Sequence, residues 1–131
     1  MLDNKDYCDY ETCVALKELG YKGISRFFYA TKESPLRRYS YDQILTTRIA
    51  DAVGHTLAIS LYVAQKWLRE EKKLIVLVGF DFCPITSEIV YNWVIVVNGN
   101  TAKKSSYTYD YFEEALSEGV REAIKILKEN E

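Results

Sequence analysis

The chain is short of the residues from which most metal and catalytic sites are built. It has one histidine, His55, and three cysteines, Cys8, Cys13 and Cys83. The spacing of Cys8 and Cys13 is not the C-x-x-C of zinc knuckles and redox motifs, and a single histidine makes a structural zinc site dependent on all three cysteines. We therefore expect no metal, no cofactor and free thiols, with His55 in a loop or in the core. The remaining catalytic alternative is a site built from His55 and a cysteine, although no sequence context places a nucleophile beside this histidine.

Glycine-rich phosphate loops are also missing, because the six glycines are scattered along the chain. The carboxylate pairs Glu70-Glu71 and Glu113-Glu114 lie among other charges in helical patterns. A solvated helix face explains such pairs better than a general acid and base do. The sequence thus predicts no catalytic residue and no enzymatic activity.

Neither an excess of one charge nor a long apolar run is present. Seventeen basic residues stand against nineteen acidic ones, which leaves a net charge of -2 and no general attraction to nucleic acid or anionic lipid. No stretch approaches the roughly 20 apolar residues of a membrane span, and the N-terminal residues are too polar for a signal peptide. We expect a cytoplasmic protein with no membrane partner.

Apolar and aromatic residues are abundant. Hydrophobic residues make up 48% of the chain, and the 131 residues are near the usual size of one domain, so we expect a single domain over residues 1–131. Tyrosine is the outlier, with 11 copies. Tyrosine covers apolar surface while its hydroxyl remains available to a partner or to water, so its abundance indicates a binding surface.

Apolar residues recur at helical spacing in three segments. Gly20 is placed to end the first helix, and Ser60 can cap the second. Asp110 and Glu113 resemble a capping box for the third. Gly119 lies in the apolar stripe of that third helix, where it lets another backbone approach, so we expect it against a sheet. The predicted helices are about 10–19, 60–72 and 109–128.

Runs of β-branched and aromatic residues predict several strands between the last two helices and one strand before them. Asn98-Gly99 is typical of a tight two-residue hairpin turn. A strand near 24–30 joined to the same sheet would create a right-handed parallel β-α-β crossover. The fold class is therefore α+β, with an antiparallel meander of three strands at about 74–82, 88–98 and 101–109.

Residues 41–53 also fit a helix, with Ser40 and Gln43 as its capping box and Gly54 at its end. Strand 88–98 is apolar on both faces, and such strands are usually covered on both. Either a helix or another subunit then covers the second face, which makes a homo-oligomer an open alternative.

Three segments together suggest a family, namely YETCVALKELGY (10–21), SLYVAQKWLREE (60–71) and YFEEALSEGVREA (111–123). They resemble segments of small uncharacterised proteins of phage or mobile-element type in gut bacteria, which have an "AQKWLRE" helix and a closing "YEEALEEGIKEAL" helix. The resemblance covers most of the chain, but residues 31–58 depart from the pattern, with Ile59 in place of a common proline and Ser60 in place of a threonine. It implies an accessory protein without a transferable catalytic residue.

Besides the catalytic alternative at His55 and a cysteine, two functions remain open. The first is a non-enzymatic accessory domain that binds an unknown protein partner through a tyrosine-rich surface. The second is nucleic-acid binding, because helix, meander and helix is also the order of a double-stranded-RNA-binding domain. The last helix here begins with acidic residues that would repel phosphate, so only aromatic and basic patches would remain to bind it. The residues proposed for the partner or nucleic-acid surface are Arg26, Phe28, Arg37, Arg38, Lys103, Lys104, Tyr107 and Tyr109.

Overall fold

The computed structural model describes residues 4–39 and 45–130 of the chain. The backbone divides into two compact units, Met1–Ser60 and Leu61–Glu131. Their helices and antiparallel sheets confirm the predicted α+β class. A single domain over residues 1–131 stays a prediction. Among the described residues, no helix combines the length and the apolar character that crossing a bilayer requires.

The first unit has one longer helix and several short strands. In chain order its elements are a 3₁₀ turn (Asn4–Asp6), α1 (Tyr10–Glu18), β1 (Ile24–Ser25), β2 (Phe27–Tyr29), β3 (Arg37–Arg38), β4 (Leu45–Thr46), α2 (Thr47–Ala52) and β5 (Thr56–Leu57).

Helix α1 matches the predicted segment 10–19. Asp9 caps its start, because the side chain accepts a hydrogen bond from the Thr12 N–H at 2.8 Å. Gly20 follows its end with φ +108°, a backbone conformation that favours glycine. Cys13 and Leu16 point from α1 into the core, where both are at most 1% exposed.

The strand predicted near 24–30 is present as two short pieces. Ser25 interrupts it, because its Oγ accepts from the Phe27 N–H at 3.0 Å and lies 3.1 Å from the Phe27 carbonyl. β1 pairs with β4, whereas β2 lies between β3 and β5. The strand does not join the meander, because β2 belongs to a separate antiparallel sheet. The prediction of a parallel crossover is therefore wrong.

The helix predicted over 41–53 is shorter than expected. Ser40, Gln43 and the first predicted turn lie outside the described residues. Thr46 caps α2 by accepting from the Ile49 N–H at 3.2 Å, so the helix begins at Thr47. It ends as predicted before Gly54, which has φ +76°.

The second unit is a meander with two helices. In chain order its elements are α3 (Leu61–Lys72), β6 (Leu74–Phe82), β7 (Ile89–Val97), β8 (Asn100–Lys104) and α4 (Phe112–Glu129). The strand order β6-β7-β8 with antiparallel pairing confirms the predicted meander. Asn98 and Gly99 have φ of +53° and +79°, as a two-residue hairpin turn requires. β8 ends earlier than predicted, at Lys104.

Helix α4 packs against β6 and β7 through Gly119. A Cβ at this position would lie 2.7 Å from Val76 Cγ1 and 3.2 Å from Trp93 Cβ, so the predicted approach to the sheet is confirmed. The predicted capping box is wrong. Because the helix begins at Phe112, its N-cap is Tyr111, which makes no side-chain capping bond.

The two faces of the meander differ in burial. Val76, Trp93 and Ile95 share the face that α4 covers, and they are at most 4% exposed. Leu77, on the opposite face, is 50% exposed. What covers that second face, a helix or another subunit, stays a prediction.

Candidate functional site

The hairpin of β6 and β7 is buried at one end and exposed at the other. Leu74 and Val76, near the start of β6, are 2% and 1% exposed, whereas Phe80 and Phe82 are 65% and 58% exposed. Side chains at alternate positions share a face, so all four point to the side on which α4 lies. Exposure rises along this row because α4 packs through Gly119 against Val76 and Trp93, toward the buried end of the hairpin.

Aromatic rings cluster around the exposed end of the hairpin. The ring centroids of Phe80 and Phe82 are 6.2 Å apart in an edge arrangement. Tyr91 lies opposite Phe80 on β7, and its ring is 5.9 Å from that of Phe112, which is 6.4 Å from Tyr62. Such geometry is favourable for aromatic pairs. We call the following set the distal aromatic surface: Tyr62, Phe80, Phe82, Ile85, Ile89, Tyr91 and Phe112.

The loop that closes this hairpin holds an apolar side chain out in solvent. Cys83 N–H donates to the Glu88 carbonyl and Ser87 N–H to the Cys83 carbonyl, both at 2.8 Å. Thr86 Oγ1 accepts from the Glu88 N–H at 3.3 Å. These bonds define the loop conformation while Ile85 at its tip remains 92% exposed. The loop therefore presents Ile85 to solvent at the exposed end of the hairpin.

Exposure on this scale has an energetic meaning. Fully burying one phenylalanine or isoleucine side chain contributes about 1.5–3 kcal/mol. Single exposed apolar residues are ordinary, but a contiguous group rimmed by polar residues marks an interaction surface. Phe82 and Ile89 are directly opposite one another in the hairpin and are 58% and 47% exposed. Phe80, Phe82 and Ile89 are therefore neighbouring exposed apolar side chains at one end of the hairpin.

The predicted residue Phe28 lies in the core of the first unit and is 9% exposed. Its ring lies nearly parallel to those of Tyr39 and His55, with centroids 4.1 and 4.5 Å away. The Tyr39 hydroxyl and His55 Nδ1 are 3.0 Å apart and hydrogen-bonded. Burial raises the pKa of Tyr39 above its ordinary value. Phe28 therefore packs against residues of its own unit, and His55 takes part in that packing.

The predicted arginines of the first unit are exposed. Arg37 pairs with Phe28 and Arg38 with Phe27 across β2 and β3. Arg26 precedes β2, and its carbonyl accepts from the Tyr39 N–H at 2.8 Å. Strand pairing thus brings the three arginines to one region of the small sheet.

The predicted lysines belong to the second unit and to β8. Lys103 Nζ lies 2.6 Å from a Glu122 carboxylate oxygen on α4, and Lys125 lies 3.3 Å from the other oxygen. This contact raises the pKa of Lys103 and lowers that of Glu122. Lys104 is exposed and pairs with Val94. Lys103 is thus partly neutralised by α4, whereas Lys104 points to solvent.

The two predicted tyrosines have different environments. Tyr107 is 75% exposed. Tyr109 forms a bridge with Tyr91, with N–H to carbonyl bonds of 2.8 Å in both directions, and its hydroxyl accepts from Trp93 Nε1 at 3.3 Å. Tyr109 is therefore structural, since it ties the chain before α4 to the meander.

A cleft of about 410 Å³ opens in the first unit. Its polar groups bind one another or the backbone. Lys32 Nζ lies 3.4 Å from Glu11, Asp9 caps α1, and the Tyr29 hydroxyl donates to the Cys8 carbonyl at 2.7 Å. Burial, with smaller contributions from the nearby cysteines and Asp9, raises the pKa of Tyr29. The lining residues are Asp9, Tyr10, Glu11, Tyr29, Lys32 and Ser34.

Except for Tyr107, the most exposed large apolar or aromatic residues were not among those predicted from sequence. Phe80, Phe82 and Ile89 continue strand patterns that indicate a buried sheet, and Ile85 follows a Cys-Pro pair typical of a turn. Of these residues, only Ile85 could have been predicted to be exposed, because it follows a pair typical of a turn. In the described part of the chain, no three histidine, cysteine or acidic side chains are grouped so that they could hold a metal ion.

No protein-family model matches the sequence, and comparisons with curated proteins and with solved structures found no match.

Proposed function

We propose that the chain is a non-enzymatic accessory protein that binds a protein partner through the distal aromatic surface. The observation that carries this proposal is the exposure of Phe80 and Phe82 on β6 and of Ile85 in the following loop, at 65%, 58% and 92%. The hydrogen-bonded loop reduces the conformational entropy lost on docking of Ile85. Aromatic anchors at the centre of a contact commonly provide most of its binding energy.

The wider setting of this proposal comes from the sequence. The resemblance to phage or mobile-element proteins suggests an accessory role in the bacterial cytoplasm, with a host or phage protein as the partner. Tyr62 of this surface and Tyr111, which precedes Phe112 in the chain, are 46% and 54% exposed and offer amphipathic rings to a partner.

Site-specific photocrosslinking tests the proposal. A crosslinking residue at Ile85 should capture a defined protein in cells where the gene is native, because Ile85 is the most exposed apolar side chain of the surface. The same residue at Ile24 is the matched control, since Ile24 is 63% exposed and lies on β1 in the first unit. Capture at Ile85 should be lost when Phe82→Ser is added. Equal capture at both positions, or none at Ile85, would count against the proposal.

Nucleic-acid binding is the second candidate, and the exposed pair Arg37 and Arg38 on β3 favours it. Replacement of both by glutamate should abolish binding to single strands and to duplex RNA at low salt, where electrostatic binding is strongest. If the unchanged chain does not bind either nucleic acid under those conditions, this candidate is excluded.

A further inference from the structure

Strand β6 has an open edge whose backbone groups can be identified. It is the outer strand of the order β6-β7-β8. Cys83 N–H donates to the Glu88 carbonyl, and hydrogen-bonded pairs alternate with non-bonded pairs along an antiparallel ladder. Odd-numbered residues of β6 therefore face β7, and even-numbered residues turn their N–H and C=O groups to the edge. The Val76 carbonyl fits this alternation, because it accepts from Gln65 of α3 at 2.7 Å.

Only part of this edge is occupied. Gln65 covers the edge at Val76, and the Asp81 carboxylate accepts from the Phe82 N–H at 2.8 Å. Within residues 4–39 and 45–130, no hydrogen bond is formed on the edge side of Val78 or Phe80. Val78 and Phe80 thus offer unpaired backbone groups at this edge, next to exposed aromatic side chains.

The opposite edge of the meander is protected by contrast. β8 presents Lys103 and Lys104, and its pairing with β7 is interrupted by a register shift between Ile95 and Val96. Lysines and bulges are the devices with which proteins prevent pairing at an edge. The segment Val78–Phe82 contains neither lysine nor proline.

We propose that a second copy of the chain pairs with this edge, so that two β6 strands lie antiparallel across a two-fold axis at Phe80. In this register Phe80 faces its own copy, Val78 faces Phe82, and Gly79 faces Asp81. The Phe80 pair exchanges both backbone hydrogen bonds, and each Val78–Phe82 pair exchanges both once the Phe82 N–H leaves the Asp81 carboxylate. Their side chains form one continuous apolar row, and each Asp81 carboxylate faces a glycine.

The neighbouring registers are less favourable. Moving the axis to Asp81 places two carboxylates directly opposite one another, which is destabilising. Moving it to Gly79 pairs Val76 with Phe82, although Gln65 already occupies the Val76 carbonyl. The axis at Phe80 avoids both costs. This pairing goes beyond the proposed function, because it rests on the backbone of β6 and holds whether or not another protein binds the surface.

Sedimentation of the full chain with charge-swapped variants tests the pairing. The unchanged chain should sediment at twice the chain mass. Phe80→Lys and Phe80→Glu should each sediment as monomers, because like charges then face each other across the axis. An equimolar mixture of the two variants should restore the dimer. A monomeric unchanged chain, a dimeric Phe80→Lys, or a mixture that stays monomeric would overturn the proposal.

Two further variants separate this inference from loss of folding and from the proposed function. Val78→Pro should be monomeric yet folded by circular dichroism, because the Val78 N–H faces the open edge and is not bonded to β7. Ile89→Lys lies outside the paired segment, so it should stay dimeric while it abolishes partner capture by the crosslinking residue at position 85. If the unchanged chain and all variants are monomeric, and the variant at position 89 still loses capture, the dimer is overturned while the proposed function stands. If a different protein pairs with this edge instead, the unchanged chain should be monomeric and Val78→Pro should abolish capture of that protein.

Discussion

At the scale of single residues, the three cysteines differ in environment. Cys8 and Cys13 are at most 1% exposed, and the Cys13 thiol lies 3.6 Å from the Cys8 carbonyl, so both act as small core residues. Cys83 lies in the hairpin loop. Hydrogen bonds from the side chain and backbone of Thr86, and from the Ile85 backbone, lower the pKa of the Cys83 thiol. Since the thiolate is the nucleophile, the thiols should differ in reactivity.

We predict that iodoacetamide modifies Cys83 alone in the folded chain, and Cys8 and Cys13 only after denaturation. Because the pKa is lowered, the rate of alkylation should rise with pH at lower values than for an unperturbed cysteine. Thr86→Val removes the largest cause and should move the inflection to higher pH. Mass spectrometry of the modified peptides over a pH series measures both effects. Modification of Cys13 at the rate of Cys83, or an unchanged inflection in the variant, would contradict this prediction.

At the scale of elements, the contact of α4 with the sheet depends on one position without a side chain. Glycine at position 119 costs about 1 kcal/mol of helix propensity relative to alanine. Its retention in α4 is explained by the close approach of the sheet, since a Cβ here would lie 2.7 Å from Val76 and 3.2 Å from Trp93. Gly119→Val should therefore destabilise the chain by about 1–3 kcal/mol or more through overpacking. Chemical denaturation measures the change, with Ser117→Val on the same helix as the control. Equal stability of the two variants would be contrary to this packing.

The elements predicted from sequence are those whose pattern and burial agree. The stripe containing Gly119 and the pair Asn98-Gly99 each specify one local structure, and both were predicted. Ser25 was not recognised as a break, because its hydrogen bonds with Phe27 compete with strand pairing only in the folded geometry. The apolar pattern of β6 extends to Phe82, but α4 does not cover that end. Sequence reasoning therefore predicted the strand and missed the candidate surface on it.

At the scale of the whole molecule, salt dependence distinguishes the proposed interactions. The net charge of -2 gives two copies little overall repulsion, and the pairing across Phe80 consists of backbone hydrogen bonds and apolar contacts. Added salt screens charges but does not weaken apolar burial. Nucleic-acid binding through Arg37 and Arg38 would depend on released counterions and would weaken steeply.

We therefore predict that the dimer sediments unchanged, or associates more strongly, as sodium chloride is raised from low to high concentration. The matched control is the mixture of Phe80→Lys with Phe80→Glu. Its restored dimer contains an ion pair at the axis and should dissociate progressively over the same salt series. Sedimentation velocity at several protein concentrations measures both responses. If the unchanged dimer dissociates in parallel with the charge-swapped pair, charged groups hold the copies together and the edge of β6 does not.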